Sequence, residues 1–257
     1  SKAKLKALEQ FSIECAIIKV HGSEALDYCV DEGVQVYGGM GFSEEAPMAR
    51  AYRDARITRI YEGTNEINRM LLVGMMFKRA MKGEIDLLGP AMDVAKELTS
   101  VPSFDMPDLS APLAEEKDVL KKLKKAALMV AGKAAETFGP KLTDEQEILM
   151  HIADMMIEIY VLESSLLRTE KLIGLHGEEA SELYVSMTKL YMHEAIQKIK
   201  NHGDEAVACF TEGDELKVMM MGMKRFTKFN PVNTKELRRS IAAKMVAENK
   251  FPYSLYN

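Results

Sequence analysis

The sequence predicts an all-α protein, one partial helical bundle followed by a second, and three observations predict it. Helix-favouring residues dominate the 257 positions, with 47% apolar and 28% charged residues. Apolar residues recur at steps of three and four, the spacing of one helix face. No stretch shows the strict alternation of a half-buried strand, and only 8 Pro and 16 Gly punctuate the chain.

Taken in order, Leu5, Leu8, Ser12, Cys15, Ala16, Lys19 and Val20 predict one long helix from about residue 4 to 34. The stretch Tyr37-Gly-Gly-Met-Gly-Phe-Ser43 breaks it, because clustered glycines admit backbone angles that other residues resist. A helix from Pro47 to about Ile57 follows, with proline suited to a first turn. Tyr61-Glu62-Gly63 breaks the chain again, and Thr64 caps a third helix reaching about Met81. Residues 86–118 change character, with Pro90, Pro102, Pro107 and Pro112 and 2 Lys against 8 Asp or Glu, a net charge of −6. They read as an acidic linker, so the chain parses into residues 1–85, the linker 86–118, and a second helical module at 119–257.

In that second module Ile148, Ile152, Met155, Ile159, Leu162 and Leu166 form the apolar seam of a bundle helix. Further helices are expected over 117–138, 178–202, 205–225 and 233–249. The Met219, Met220, Met221 and Met223 cluster reads as core or interface packing, and Lys121, Lys122, Lys124 and Lys125 as a solvated face. An octapeptide of the first module, Ile18-Lys-Val-His-Gly-Ser-Glu-Ala25, returns as Ile199-Lys-Asn-His-Gly-Asp-Glu-Ala206, which suggests a duplicated bundle.

Composition narrows the function. With 34 Lys and Arg against 39 Asp and Glu, the net charge of −5 argues against a generic nucleic-acid binder. No apolar run approaches the ~18 residues of a membrane span. Three cysteines without a Cys-x-x-Cys pair point to a reducing compartment, bacterial cytoplasm or mitochondrial matrix, with the thiols expected to be buried. A phosphate-binding Gly-x-x-x-x-Gly-Lys is absent, and Gly39-Met-Gly41 lacks the third glycine of a dinucleotide fingerprint. None of the five His follows a carboxylate by three residues, so a di-iron centre is not expected, and no zinc motif occurs.

Three segments remain: Gln35-Val-Tyr-Gly-Gly-Met-Gly-Phe42, Tyr52-Arg-Asp-Ala-Arg-Ile57, and Arg59-Ile-Tyr-Glu-Gly-Thr-Asn-Glu-Ile67. In order and spacing they resemble the C-terminal helical domain of the acyl-CoA dehydrogenases, across about residues 8–80. The wording of the last segment looks closest to the very-long-chain branch, which carries an extra C-terminal helical domain such as residues 119–257 would form. The resemblance implies FAD as cofactor and α,β-dehydrogenation of a long-chain acyl-CoA to trans-2-enoyl-CoA, in fatty-acid β-oxidation. Glu62 would be the catalytic base, with Tyr61 and Gly63 against the substrate. A carboxylate serves that role when burial lifts its pKa from about 4.3 toward neutrality.

The same resemblance assigns Gln35, Val36, Tyr37, Gly38 and Gly39 to the FAD of a neighbouring subunit, and Thr64 and Glu66 to the flavin nucleotide. Exposed amides at Gly38 and Gly39 suit a pyrophosphate, since no side chain intervenes. Arg53, Asp54 and Arg56 match a family segment and also suit a local ion-pair network. The implied partners are an electron-transfer flavoprotein and a second copy in a homodimer. Very-long-chain relatives use the region matching residues 86–118 for membrane association, but its net charge of −6 opposes an anionic surface. Glu62 stands far nearer the start than in the family, so the chain is expected to be a fragment, inactive and weak in FAD binding by itself. A non-catalytic assembly or docking role, and an acyl-CoA oxidase, are the competing readings.

Overall fold

Every regular element in the computed structural model, which describes residues 2–100 and 111–251, is a helix, and no strand occurs among the described residues. The all-α expectation holds. The described residues group into two units. The first comprises the chain up to Leu88 with Phe138–Ile157, and the second comprises Gly89–Thr137 with the chain from Glu158 onward.

The first unit is built on α2 (Ser12–Tyr37), preceded by α1 (Lys2–Gln10) and followed by the short α3 (Gly39–Phe42), α4 (Pro47–Arg56) and α5 (Asn65–Met81). The single helix expected over 4–34 is thus two, broken at Phe11, whose φ of −100° and ψ of 17° depart from helical values. The hydrogen bonds Phe11 N–H to Ala7 O and Cys15 N–H to Phe11 O bridge the break, which explains why the apolar spacing does not register it. Helix α2 packs against α5 and α4. Its buried Ala16, Ile17, Val20 and Val30 meet the buried Leu72, Val73 and Met76 of α5 and Ala55 of α4 within one core. Burial of a Leu or Val side chain of this kind contributes about 1.5–3 kcal/mol. At the end of α2, a Cβ on Gly41 would lie 2.4 Å from the Val34 carbonyl, so only glycine lets α3 fold back that closely.

The second unit holds most of α6 (Leu88–Thr99), then α7 (Ala114–Phe138), α9 (Glu178–Phe210), α10 (Gly213–Phe226) and α11 (Thr234–Glu248). Helix α8 (Gln146–His176) is divided between the two units. Its expected seam is buried throughout, from Ile148 at 4% exposure to Leu166 at 1%. The stretch 86–118 is not wholly a linker, because α6 and the start of α7 fall inside it. Pro90 stands in the first turn of α6, where proline is tolerated, and Val94 is buried. Ala91 sits 3.0 Å from where Gly132 would carry a Cβ, and Glu97 accepts from Lys125 at 2.6 Å and Arg225 at 3.2 Å. Pro102 and Pro107 lie outside the described residues.

Two further expectations change. Residues 178–202 and 205–225 fold instead as α9 and α10, because Gly203 is buried within a helix rather than ending one. Cys15, Cys29 and Cys209 are free and exposed, not buried. Of the Met cluster, Met219 and Met223 are buried while Met220 and Met221 face outward. The lysine face of α7 carries ion pairs, Lys122 to Asp118 and Lys124 to Glu163. Both copies of the repeated octapeptide are helical, but they bury different faces: Val20 of the first copy is buried and Ile18 exposed, whereas Ile199 and Ala206 of the second are buried.

Candidate functional site

The segment from Ile60 to Thr64 links a 3₁₀ turn at Ile57–Arg59 to α5. The Ile57 carbonyl accepts from the N–H of both Ile60 and Tyr61, which closes the turn. The next two residues are left-handed, Glu62 at φ 57° and Gly63 at φ 81°. An L-residue in that region costs about 1–2 kcal/mol, and such outliers persist only where their surroundings over-determine them. Thr64 then returns to extended backbone and caps α5, its hydroxyl accepting from Ile67 N–H at 3.3 Å.

The surroundings that hold this loop are a part-buried polar network, with Ser23, Asn65 and Asn68 buried at its centre. The Gly63 carbonyl accepts from Lys19 Nζ at 2.7 Å and from Asn68 Nδ2 at 2.8 Å. Asn68 Nδ2 also donates to the Thr64 carbonyl at 3.0 Å. Lys19 Nζ donates a second bond to Asn65 Oδ1 at 2.6 Å. Asn65, only 2% exposed, donates through Nδ2 to Ser23 Oγ and to Glu24 Oε1, each at 3.0 Å. Arg69 completes the chain with a bidentate grip on Glu24 at 2.8 and 3.0 Å and a bond from Nε to Asp154 at 2.7 Å.

Burial pushes the Glu24 carboxyl up, but the hydrogen bonds and charge of Arg69, with Asn65 and Arg59, outweigh it and hold Glu24 below the usual carboxylate range. For Arg69, burial disfavours the charge, yet Glu24 and Asp154 raise its pKa above the ordinary value. Both groups are therefore charged at neutral pH, and the network is a charge-assisted one of the stronger kind.

Glu62 opens on a pocket of about 410 Å³, lined also by Ser12, Cys15, Ala16 and Lys19 of α2 and by Asn68 and Leu71 of α5. Each helix contributes both polar and apolar groups to the lining, Ser12 and Lys19 beside Cys15 and Ala16 on α2, and Asn68 beside Leu71 on α5. The burial expected of Glu62 is not supplied by this chain: Glu62, Tyr61 and Gly63 are all exposed. Glu66 is exposed at the first turn of α5, and its own backbone N–H and the Thr64 hydroxyl hold its carboxyl below the usual range. The Thr64 hydroxyl is thus already engaged with Ile67 and Glu66.

The glycine-rich stretch lies elsewhere. Gln35, Val36, Tyr37, Gly38 and Gly39 are all exposed at the end of α2. Gly38, at φ 60° and ψ −143°, occupies a region closed to side chains, and nothing lies within 4 Å of a Cβ built on Gly38 or Gly39. Lys19 touches the Gly63 loop and Tyr37 ends the same helix 18 residues later, so the two candidate regions stand about 27 Å apart along α2 at ~1.5 Å per residue. Arg53 pairs at the surface with Glu44 at 3.1 Å, while Arg59 pairs with Asp27 at 2.8 Å.

The sequence reading missed Lys19, Ser23, Glu24, Asn65, Asn68, Arg69 and Asp154. A signal for several of them exists: Asn65, Asn68 and Arg69 share one face with the buried Leu72, and Lys19 and Ser23 lie one turn apart beside the core residues Ala16 and Val20. Polar groups on an apolar stripe demand partners. No cluster of His, Cys, Asp and Glu suited to a metal occurs among the described residues, and none of their helices is long and apolar enough to cross a membrane.

Two family models, each described as acyl-CoA dehydrogenase, C-terminal domain, match residues 2–76 and 122–225. A probable acyl-CoA dehydrogenase of Bacillus subtilis is 41% identical over 248 residues, 96% of this chain and 41% of that protein. A crystal structure of an acyl-CoA dehydrogenase complexed with FAD from Bacillus anthracis shares 43% identity at a TM-score of 0.89, covering 94% of this chain and 41% of that one. The chain thus spans about two fifths of the length of these relatives.

The mitochondrial short-chain enzyme of Bos taurus is 47% identical over 68 residues, 26% of this chain and 16% of that protein. The very-long-chain enzyme of Rattus norvegicus is 42% identical over 96 residues, 37% of this chain and 12% of that protein. These similarities do not single out the very-long-chain branch. With the helical fold and the matched segments in agreement, the chain belongs to the acyl-CoA dehydrogenase C-terminal domain family.

Proposed function

We propose that this chain is the C-terminal helical part of a flavin-dependent acyl-CoA dehydrogenase acting on a long-chain acyl-CoA in fatty-acid β-oxidation. In this reading residues 1–85 complete a catalytic bundle and residues 119–257 form an appended one. The observation that carries it is Glu62: a carboxylate on a left-handed, network-held loop, lining a pocket of mixed polar and apolar character. Glu62 takes the α-proton of the thioester onto its carboxylate, and the released electron pair forms the α,β double bond of the trans-2-enoyl product. Tyr61 and Gly63 flank the reacting carbons. The loop backbone, held by Lys19 and Asn68, needs little reorganisation at that moment. Glu62 gains the burial a base requires only when thioester and neighbouring parts of the enzyme close over it.

The residues assigned to FAD fit such a group. Gly38 and Gly39 offer backbone without side chains, and Gln35, Val36 and Tyr37 are open to a ligand. The family relative from Bacillus anthracis is complexed with FAD. When bound, FAD supplies the acceptor for the β-hydride. Thr64 and Glu66 would meet the nucleotide only by exchanging the hydrogen bonds they now make. A homodimer, an electron-transfer flavoprotein as electron acceptor, and a cytoplasmic or mitochondrial-matrix location belong to the same proposal.

The test is Glu62→Gln in the full-length dehydrogenase carrying these residues. Thioester-dependent dye reduction should fall by about a hundredfold to ten-thousandfold, the scale of a lost general base, while acyl-CoA still binds. Turnover within about tenfold of the wild type would refute the base assignment, since that is well under the loss expected of a general base. The 257-residue chain by itself should bind FAD weakly and turn over no acyl-CoA. Stoichiometric FAD with thioester-dependent reduction by that chain would overturn the fragment reading.

A further inference from the structure

We propose that Lys19 is a positioning residue for Glu62, its ammonium fixing the Gly63 carbonyl and so the turn from which Glu62 faces the pocket. The inference rests on Glu62 being the base and goes beyond it, because nothing in the motif around Glu62 points to a residue 43 positions earlier.

Geometry carries the argument. The pocket has one wall from α2 (Ser12, Cys15, Ala16) and another from α5 (Asn68, Leu71), and Glu62 stands on the loop between. Asn68 ties the loop to α5 through two carbonyls, but Asn68 is itself on α5 and cannot set the loop against α2. Lys19 makes that tie, from α2 to Gly63 O at 2.7 Å. Its Nζ is aimed by a second bond, to the buried Asn65 Oδ1 at 2.6 Å. Asn65 is held in turn by Ser23 and by Glu24, which Arg69 grips.

An ammonium with two acceptors, one of them on the buried Asn65, has less freedom than a free lysine, although its stem carries much rotamer entropy. The result is a rigid bridge that sets the distance from the Glu62 backbone to the α2 wall, where a substrate chain would lie. A misplacement of about 1 Å at such a loop is enough to cost about a hundredfold in rate.

The experiment compares Lys19→Met, which keeps the stem and removes the donors, with Glu62→Gln and wild type. In the full-length dehydrogenase, Lys19→Met should lower kcat by about tenfold or more while KM shifts less than about twofold, the signature of an interaction that matters in the transition state. In the 257-residue chain, amide order parameters at Glu62, Gly63 and Thr64 should drop from about 0.85 toward 0.6, with those of Leu72 and Val73 unchanged. Lys19→Arg, which restores a donor, should recover part of both.

If Glu62→Gln keeps turnover, the base reading fails and this inference fails with it. If Glu62→Gln is inactive while Lys19→Met matches wild type, only the Lys19 inference falls. A loss of kcat without loss of loop order would also overturn it, since Lys19 would then act through charge and not position.

Discussion

Gly63→Ala probes the loop most directly. Two costs combine at this position. The first is conformational: at φ 81° an alanine pays about 1–2 kcal/mol that glycine does not. The second is steric, because the new Cβ would lie 2.9 Å from Asn68 Nδ2. A side-chain amide elsewhere would swing aside at little cost. Here the same nitrogen donates to the Gly63 and Thr64 carbonyls at 2.8 and 3.0 Å, so moving it sacrifices both bonds, at about 0.5–1.5 kcal/mol each. The total is about 2–5 kcal/mol against the opening of α5.

Native-state hydrogen exchange at the Leu72 and Val73 amides measures that opening, because both residues are buried in the middle of the helix. Gly83→Ala is the reference: Gly83 follows the other end of α5 at φ 70° with nothing within 4 Å of its Cβ, so only the conformational cost applies. Adding Asn68→Ala to Gly63→Ala should then cost less than the sum of the two single changes, the sign of direct coupling. If Gly63→Ala proves no worse than Gly83→Ala, Asn68 is not a clamp and the account of the loop is wrong.

Two further outcomes are expected. Glu24 is held below the usual carboxylate range in the folded chain, so its contribution is complete above about pH 4.3 and is lost as pH falls through its folded value. Urea midpoints measured from pH 7 down to 3 should therefore fall faster for wild type than for Glu24→Gln, and parallel curves would refute the assignment. Leu72→Ala, at a site 1% exposed, should cost about 2–5 kcal/mol by urea unfolding. Leu71→Ala, at 46% exposure, should cost under about 1 kcal/mol, since exposed positions lose little on truncation.

Periodicity made the helices legible, since each buries a stripe whose spacing survives in the sequence. It was blind where backbone hydrogen bonds run through a break, as at Phe11, and where a breaker is absorbed, as Pro90 is in a first turn and Gly203 in a packed helix face. The site was legible in proportion to its backbone demands. Gly63 and Gly38 advertise positive φ, and Thr64 advertises a cap. Lys19, Asn65 and Arg69 carry no such mark, because a polar residue is read as a surface residue until a partner is found. Lys19 meets Gly63 and Asn65 across 44 and 46 positions, and Arg69 meets Asp154 across 85, separations that no local pattern encodes. The cysteines failed for the converse reason: type alone suggested burial, and the helix faces that carry them turn outward.

The separation of the two candidate regions bears on how a complete enzyme would use this chain. Glu62 and the Gln35–Gly39 stretch sit at opposite ends of the α2 span, about 27 Å apart by helix rise, too far for both to face one reacting thioester. The Glu62 region has a left-handed loop, a network that fixes it and a mixed pocket, the attributes of a place where chemistry is held in register. The glycine stretch has exposed backbone without side chains, with Gly38 N–H bonded to the Gln35 carbonyl and Gly38 O accepting from Gly41 N–H, the attributes of a surface that meets a ligand or partner from outside. If both contact a flavin, as the family resemblance implies, they contact two different ones. Each chain would then contribute its Glu62 end to one site and its glycine end to another, so that neither site is complete on a single copy. Substitutions at Gly38 should accordingly weaken cofactor retention and assembly together while leaving the Gly63 loop ordered. Substitutions at Lys19 should do the reverse.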